Sequence, residues 1–183
     1  MGVIVLDTET DGDVPGGPFG EITFEDTAEG VVSFEIDLFG QFDSTDIHQF
    51  GFFSTYTGPL AIDPTSIGAA DFTVTPNTSG VSGLGLQVFD WVVDFDNGQP
   101  ALEPLEFDLI GDADWSTASL INAPLVDVRG EPISAAVHVQ RTSTPAGSET
   151  FTGQTGHTGV IPEPASVAIF AMMLVGLILK RVR

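Results

Sequence analysis

From Val31 onward apolar and polar residues alternate. Val32, Phe34, Ile36 and Leu38 fall on one side, and Ser33, Glu35 and Asp37 on the other. A period of two marks a strand with one buried face. Just before it, Ile22 and Phe24 alternate with Glu21, Thr23 and Glu25. Residues 26–30 between the two runs are turn-like, which predicts a hairpin. A third run covers 48–56, with Phe50, Phe52 and Phe53. A short fourth covers 71–75 and is expected to stop at Pro76. Residues 86–95 give the strongest signal: Phe89, Trp91, Val93 and Phe95 on one face, Asp90 and Asp94 on the other. Asn97-Gly98 then predicts a tight turn. Leu105, Phe107 and Leu109 resume the alternation. Residues 133–140 follow, with Ile133, Ala135, Val137 and Val139 inward and His138 outward.

Two segments break this pattern. Residues 141–161 are rich in Thr, Ser and Gly and nearly devoid of large apolar side chains, which predicts a flexible stalk. Residues 165–179 are fifteen consecutive positions without a charge, apolar all round, so a buried amphipathic helix is a poor description of them. As a helix they span about 22 Å, against the ~30 Å of a hydrocarbon core. Lys180, Arg181 and Arg183 close the run. Long basic side chains reach outward to the interface, and positive charge stays on the cytoplasmic side. The expected architecture is all-β. It comprises an antiparallel β-sandwich (jelly-roll-like) domain over 1–140, a stalk over 141–161 and one C-terminal transmembrane helix over 165–179. The domain would stand outside the cytoplasm.

At the other end, residues 1–6 are apolar, but Asp7 follows at once and no basic residue precedes them. A secretory leader has a longer apolar region behind a basic start, so a first β-strand is the expectation.

Charge narrows the function classes. Residues 1–160 hold 25 acidic side chains against Arg129 and Arg141, a net −23, whereas the rest of the chain is at +2. A body so acidic repels phosphate backbones and excludes nucleic-acid binding. Disorder is excluded by the 14 Phe and 2 Trp, which supply ample core. With no Cys, thiol chemistry and disulfides are absent.

Catalytic patterns do not appear. Gly80-Val81-Ser82-Gly83-Leu84 departs from a nucleophile elbow at its last residue, and no His-Glu-x-x-His occurs. Scattered carboxylates alone do not make a glycosidase pair. The chain is therefore expected not to be an enzyme. Calcium has a stronger outline: Asp7, Glu9, Asp11 and Asp13 alternate around Gly12. A twelve-residue calcium loop begun at Asp7 needs an acid where Pro18 stands, so that loop fails. A looser calcium site on Asp7, Asp11 and Asp13 is left, with Asp94 and Asp96 as a second candidate.

Pro162-Glu163-Pro164 stands immediately before the apolar run. Two prolines keep the segment extended, where an enzyme can grip it as a strand. Pro164 suits a first helical position, and Glu163 is well placed beside a helix N-terminus. The Pro-Glu-Pro, the apolar helix and the basic cluster, in that order over 160–183, resemble the PEP-CTERM sorting signal of Gram-negative bacteria. That resemblance implies recognition by an exosortase-type membrane enzyme and cleavage near Pro162, Glu163 and Pro164. It implies hosts that make extracellular polysaccharide, a possible partner of the protein. The 94–98 turn and residues 136–140 carry a weaker likeness to the β-rich bodies found with such tails. Members of that family usually begin with a signal peptide, and residues 1–6 depart from that pattern.

Two functions of different class follow. One is a non-enzymatic exported protein of the cell surface or matrix, sorted through its tail. The other is a membrane-tethered binding module for carbohydrate or calcium. An exposed Trp115 and Tyr56 on a concave face would favour sugar stacking.

Overall fold

The computed structural model describes residues 1–10, 16–42, 46–64, 72–78, 80–84, 87–100 (backbone alone over 96–100), 104–128, 130–140 and 147–155. The chain is all-β. Its strands are β1 (Gly2–Glu9), β2 (Gly20–Ala28), β3 (Val31–Leu38), β4 (Asp46–Phe52), β5 (Ala61–Ile62), β6 (Thr73–Thr78), β7 (Phe89–Pro100), β8 (Leu105–Ile110), β9 (Val126–Val128), β10 (Glu131–Ile133), β11 (Ala135–Gln140) and β12 (Ser148–Thr155). Among the described residues one α-helical turn, α1 (Thr117–Ile121), lies between β8 and β9, and a 3-10 turn (Gly40–Phe42) lies between β3 and β4. Both are too short to show a helical period in the sequence. The expected hairpin is present, with Ile22 opposite Ile36 and Phe24 opposite Phe34, but β2 runs on to Ala28 through a register shift after Asp26, so the turn is only residues 29–30 rather than 26–30.

Ten strands form one sheet in the order β5-β8-β3-β2-β1-β12-β11-β4-β7-β6, and β9 and β10 pair separately. All the pairings are antiparallel. The sheet is folded over on itself. Phe34 on β3 has its ring 5.5 Å from Phe50 and 5.9 Å from Phe52 on β4, although four strands separate β3 from β4 in the sheet. Laid flat, those five steps would span about 24 Å. Phe95 on β7 likewise meets Phe107 on β8 at 5.6 Å. The two halves of the sheet therefore face each other across one aromatic core. Each large side chain so enclosed contributes about 1.5–3 kcal/mol of apolar burial.

Several local expectations are corrected. Residues 148–155, expected in the stalk, form β12 in the middle of the sheet, between β1 and β11. Their single large apolar side chain, Phe151, is fully buried and stacks on Phe19 at 4.8 Å. Thr150 and Thr152 fit a pleated surface, and Gly153 lets β1 approach: a Cβ there would overlap the Val5 carbonyl oxygen. Residues 141–146 and 156–161 lie outside the described residues.

The fourth run passes through Pro76 to Thr78, because β6 is a sheet edge, where a missing N–H is tolerated. Asn97-Gly98 does not end a strand. Gln49 opposes Asp94 and Ile47 opposes Gln99, so residues 95–98 stand against His48 alone and form a wide bulge. Residues 133–140 break at Ser134. Its N–H donates to the Gly153 carbonyl at 2.7 Å, while Ile133 pairs with Val126 in the small sheet. The strongest strand starts at Phe89, whose ring leaves the row of Trp91, Val93 and Phe95 and stacks on Phe53 at 4.9 Å.

That last contact belongs to a second apolar cluster: Phe53, Val81, Leu84, Phe89, Val92, Val128, Ile133 and Ala136. It roofs the outer face of β4, β7 and β11. His138, expected outward on β11, is consequently buried, at 6% exposure. Period-two reasoning assumes one dry face, and β11 has two.

Candidate functional site

Of the nine positions of the sorting motif, the basic cluster and the first calcium candidate, the described residues reach only Asp7, and of the second calcium candidate they give the side chain of Asp94 alone. Asp7 lies exposed on β1, and its Oδ1 accepts a hydrogen bond from the Thr8 hydroxyl at 3.2 Å. Asp11, Asp13, Pro162, Glu163, Pro164, Lys180, Arg181 and Arg183 lie outside the described residues, as does the 165–179 segment. Among the described residues, no group of three or more His, Asp or Glu is placed to hold a metal ion. Asp94 accepts from the Gln49 amide at 3.0 Å. Nor do the described residues contain a helix long and apolar enough to cross a membrane.

Tyr56 and Trp115 are buried, with ring centroids 5.3 Å apart. The Trp115 indole donates to the Leu109 carbonyl at 2.9 Å. The Tyr56 hydroxyl accepts from the Asp112 N–H at 3.0 Å and donates to the Pro59 carbonyl at 3.2 Å. Both rings are core members with satisfied polar tips, so they form no stacking platform.

Two polar arrangements escaped the sequence reading. The first lies under the roof of the second cluster. The Thr150 hydroxyl donates to the Ser82 carbonyl at 2.6 Å and meets His138 Nδ1 at 2.9 Å. The Ser82 N–H donates to the Gln49 side-chain oxygen at 2.9 Å, and Gln49 in turn reaches Asp94. His138 has its pKa lowered, first by burial and then by the neighbouring His48; a hydrogen bond to the Glu149 backbone partly opposes both. His48 comes close because it is the extra residue where the β4–β11 register shifts: His138 opposes Gln49 and Val139 opposes Ile47.

The second is a cleft of about 320 Å³ between residues 54–59 on one side and Pro76 and Asn77 of β6 on the other, floored by Asp90 and Trp91 of β7. Asp90 Oδ2 accepts the Ser54 N–H at 2.9 Å, which fixes the carboxylate. Asn77 faces Asp90 across the ladder, since Pro76 pairs with Trp91 and Thr78 with Phe89. Asn77 also holds φ at +48°, in the left-handed region. The only cues in the sequence were an acid beside a tryptophan within an aromatic strand and an Asn after a Pro.

No protein-family model matches the chain, and neither a curated protein nor a solved structure matches it.

Proposed function

We propose that this is a non-enzymatic exported protein of the cell surface or extracellular matrix, sorted and processed through a PEP-CTERM-like C-terminal signal. One observation carries the reading. Pro162-Glu163-Pro164, fifteen uncharged residues and a closing cluster of Lys180, Arg181 and Arg183 occur in that order at the end of an acidic chain. The apolar run inserts in the membrane as a helix, the basic cluster holds its end on the cytoplasmic side, and the acidic domain lies outside. An exosortase-type membrane enzyme grips the extended Pro-Glu-Pro and cuts near it. The domain that remains is a β-sandwich of jelly-roll-like kind, a reading supported by the two facing halves of its sheet. A rigid antiparallel sandwich with a dry aromatic core suits a surface protein without disulfides.

The test is the fate of the tail in a host that makes an exosortase. Mass spectrometry of wild-type protein should find a C-terminus near residue 162. The double variant Pro162→Ala, Pro164→Ala should stay in the membrane fraction with Arg183 attached. Wild-type protein found in the medium intact through Arg183 would overturn the proposal.

A further inference from the structure

We infer that the cleft between residues 54–59 and β6 binds one ring of a neutral sugar, with the Asn77 amide and the Asp90 carboxylate holding two adjacent hydroxyls. Both residues line the cleft and stand opposite each other on β6 and β7. The pairs Pro76–Trp91 and Thr78–Phe89 flank them on either side. One member of the pair only accepts hydrogen bonds, while the other both donates and accepts. A vicinal diol matches that pair: one hydroxyl gives its proton to Asp90, and its neighbour bonds to the Asn77 amide. The Ser54 N–H holds Asp90 in place, and Thr57 adds a hydroxyl at the exposed rim.

The rest of the lining is apolar. The Trp91 indole N–H is directed to the Tyr56 carbonyl at 3.5 Å, and the Tyr56 hydroxyl is held between Pro59 and Asp112. The ring carbons of a sugar would meet these apolar edges while its hydroxyls meet Asp90, Asn77 and Thr57. Two observations restrict the ligand further, and a third marks the site. The strongly acidic body repels anions, so the ligand is not a phosphate or a carboxylate. The cleft is at the small end of the range for small-molecule pockets, so it takes one ring rather than several. Asn77 keeps a side chain at φ +48°, where glycine would sit without strain, and such strained residues gather at ligand sites. Sugar binding here does not depend on how the tail is processed.

The test is calorimetric titration of the full chain in a zwitterionic detergent without a sugar headgroup. The probes are the methyl α-D-pyranosides of glucose, mannose and galactose, with tetramethylammonium chloride as a cationic control. At least one glycoside should bind saturably. Asn77→Gly relieves the backbone while removing the amide, so it should leave melting unchanged or raised and weaken binding about tenfold or more. Asp90→Asn, which can still accept from Ser54, should weaken binding similarly. Three results would each overturn the proposal: no saturable binding by any of the glycosides, unaltered binding in Asn77→Gly, or Asp90-dependent binding of tetramethylammonium without any of glycosides.

Discussion

His138 donates from Nδ1 to the Thr150 hydroxyl at 2.9 Å, because that hydroxyl's own proton is committed to the Ser82 carbonyl at 2.6 Å. Thr150 has one proton to give, so the imidazole must carry its hydrogen on Nδ1. Burial and the nearby His48 keep the ring neutral in the folded state, with a pKa below the usual 6.5. Unfolded, the same ring titrates near 6.5. The stability gained from the neutral ring is therefore fully present above that value. It declines as pH falls toward the folded pKa, since only the unfolded chain then takes up the proton. Denaturant titrations at pH 8 and at about pH 5.5 should show wild type losing more stability than His138→Gln over that interval. Equal losses in the two proteins would refute this.

Phe34 meets Phe24, Phe50, Phe52 and Phe107, and so joins the two halves of the sheet. Truncating a buried Phe to Ala typically costs about 3–5 kcal/mol. Phe34→Ala should thus remove much of the domain's stability, whereas Val88→Ala, at a position 49% exposed, should change it by less than about 0.5 kcal/mol. Melting curves of the two variants check this. A Phe34→Ala domain as stable as wild type would mean that the halves do not rely on this ring.

Gly153 lies where β12 presses against β1, and a Cβ would strike the Val5 carbonyl and the Ile4 side chain. Both are inner parts of a paired strand and cannot yield easily. Gly153→Ala should lower the unfolding midpoint sharply. A chain ended at residue 146, before β12, should lose its cooperative transition altogether. Circular dichroism with thermal melting is sufficient to see both effects. A cooperative melt from the shortened chain would restore the stalk description of residues 148–155.

Salt should stabilise this protein. On the outer face of β2, β3 and β8, Glu35 lies opposite Glu106 and Glu21 opposite Asp37, pairings of like charge that weaken a sheet. No Lys or Arg side chain occurs among the described residues, so dissolved cations should add screening there. Melting temperature should rise with ionic strength, and calcium should act no better than sodium at matched ionic strength. A calcium-specific rise that disappears in Asp11→Asn would instead assign a site to Asp7, Asp11 and Asp13.

How far the fold could be read depended on which faces were wet. On β3 and β8 one side holds Glu35, Asp37, Glu106 and Asp108 and the other holds Phe34, Ile36, Phe107 and Leu109, so the period of two was plain. On β11 and β12 both faces are dry. His138 and Thr150 then read as surface residues, and a strand with one Phe among threonines and glycine reads as linker. Asn97-Gly98 carries a genuine turn signal, but the chain uses it in a bulge, which no local pattern separates from a hairpin. The cleft was illegible for another reason: Asn77 and Asp90 are thirteen positions apart, and only the β6–β7 register brings them face to face.

Strand β12 has a mechanical consequence. It is the seam of the sheet, bonded to β1 on one side and to β11 on the other. A pull along β12 is carried by both ladders at once, in shear, so their hydrogen bonds must fail together rather than unzip in turn. Any load that reaches the domain through its C-terminal end enters by this strand, and its release would part the five strands from β5 to β1 from the four from β11 to β6.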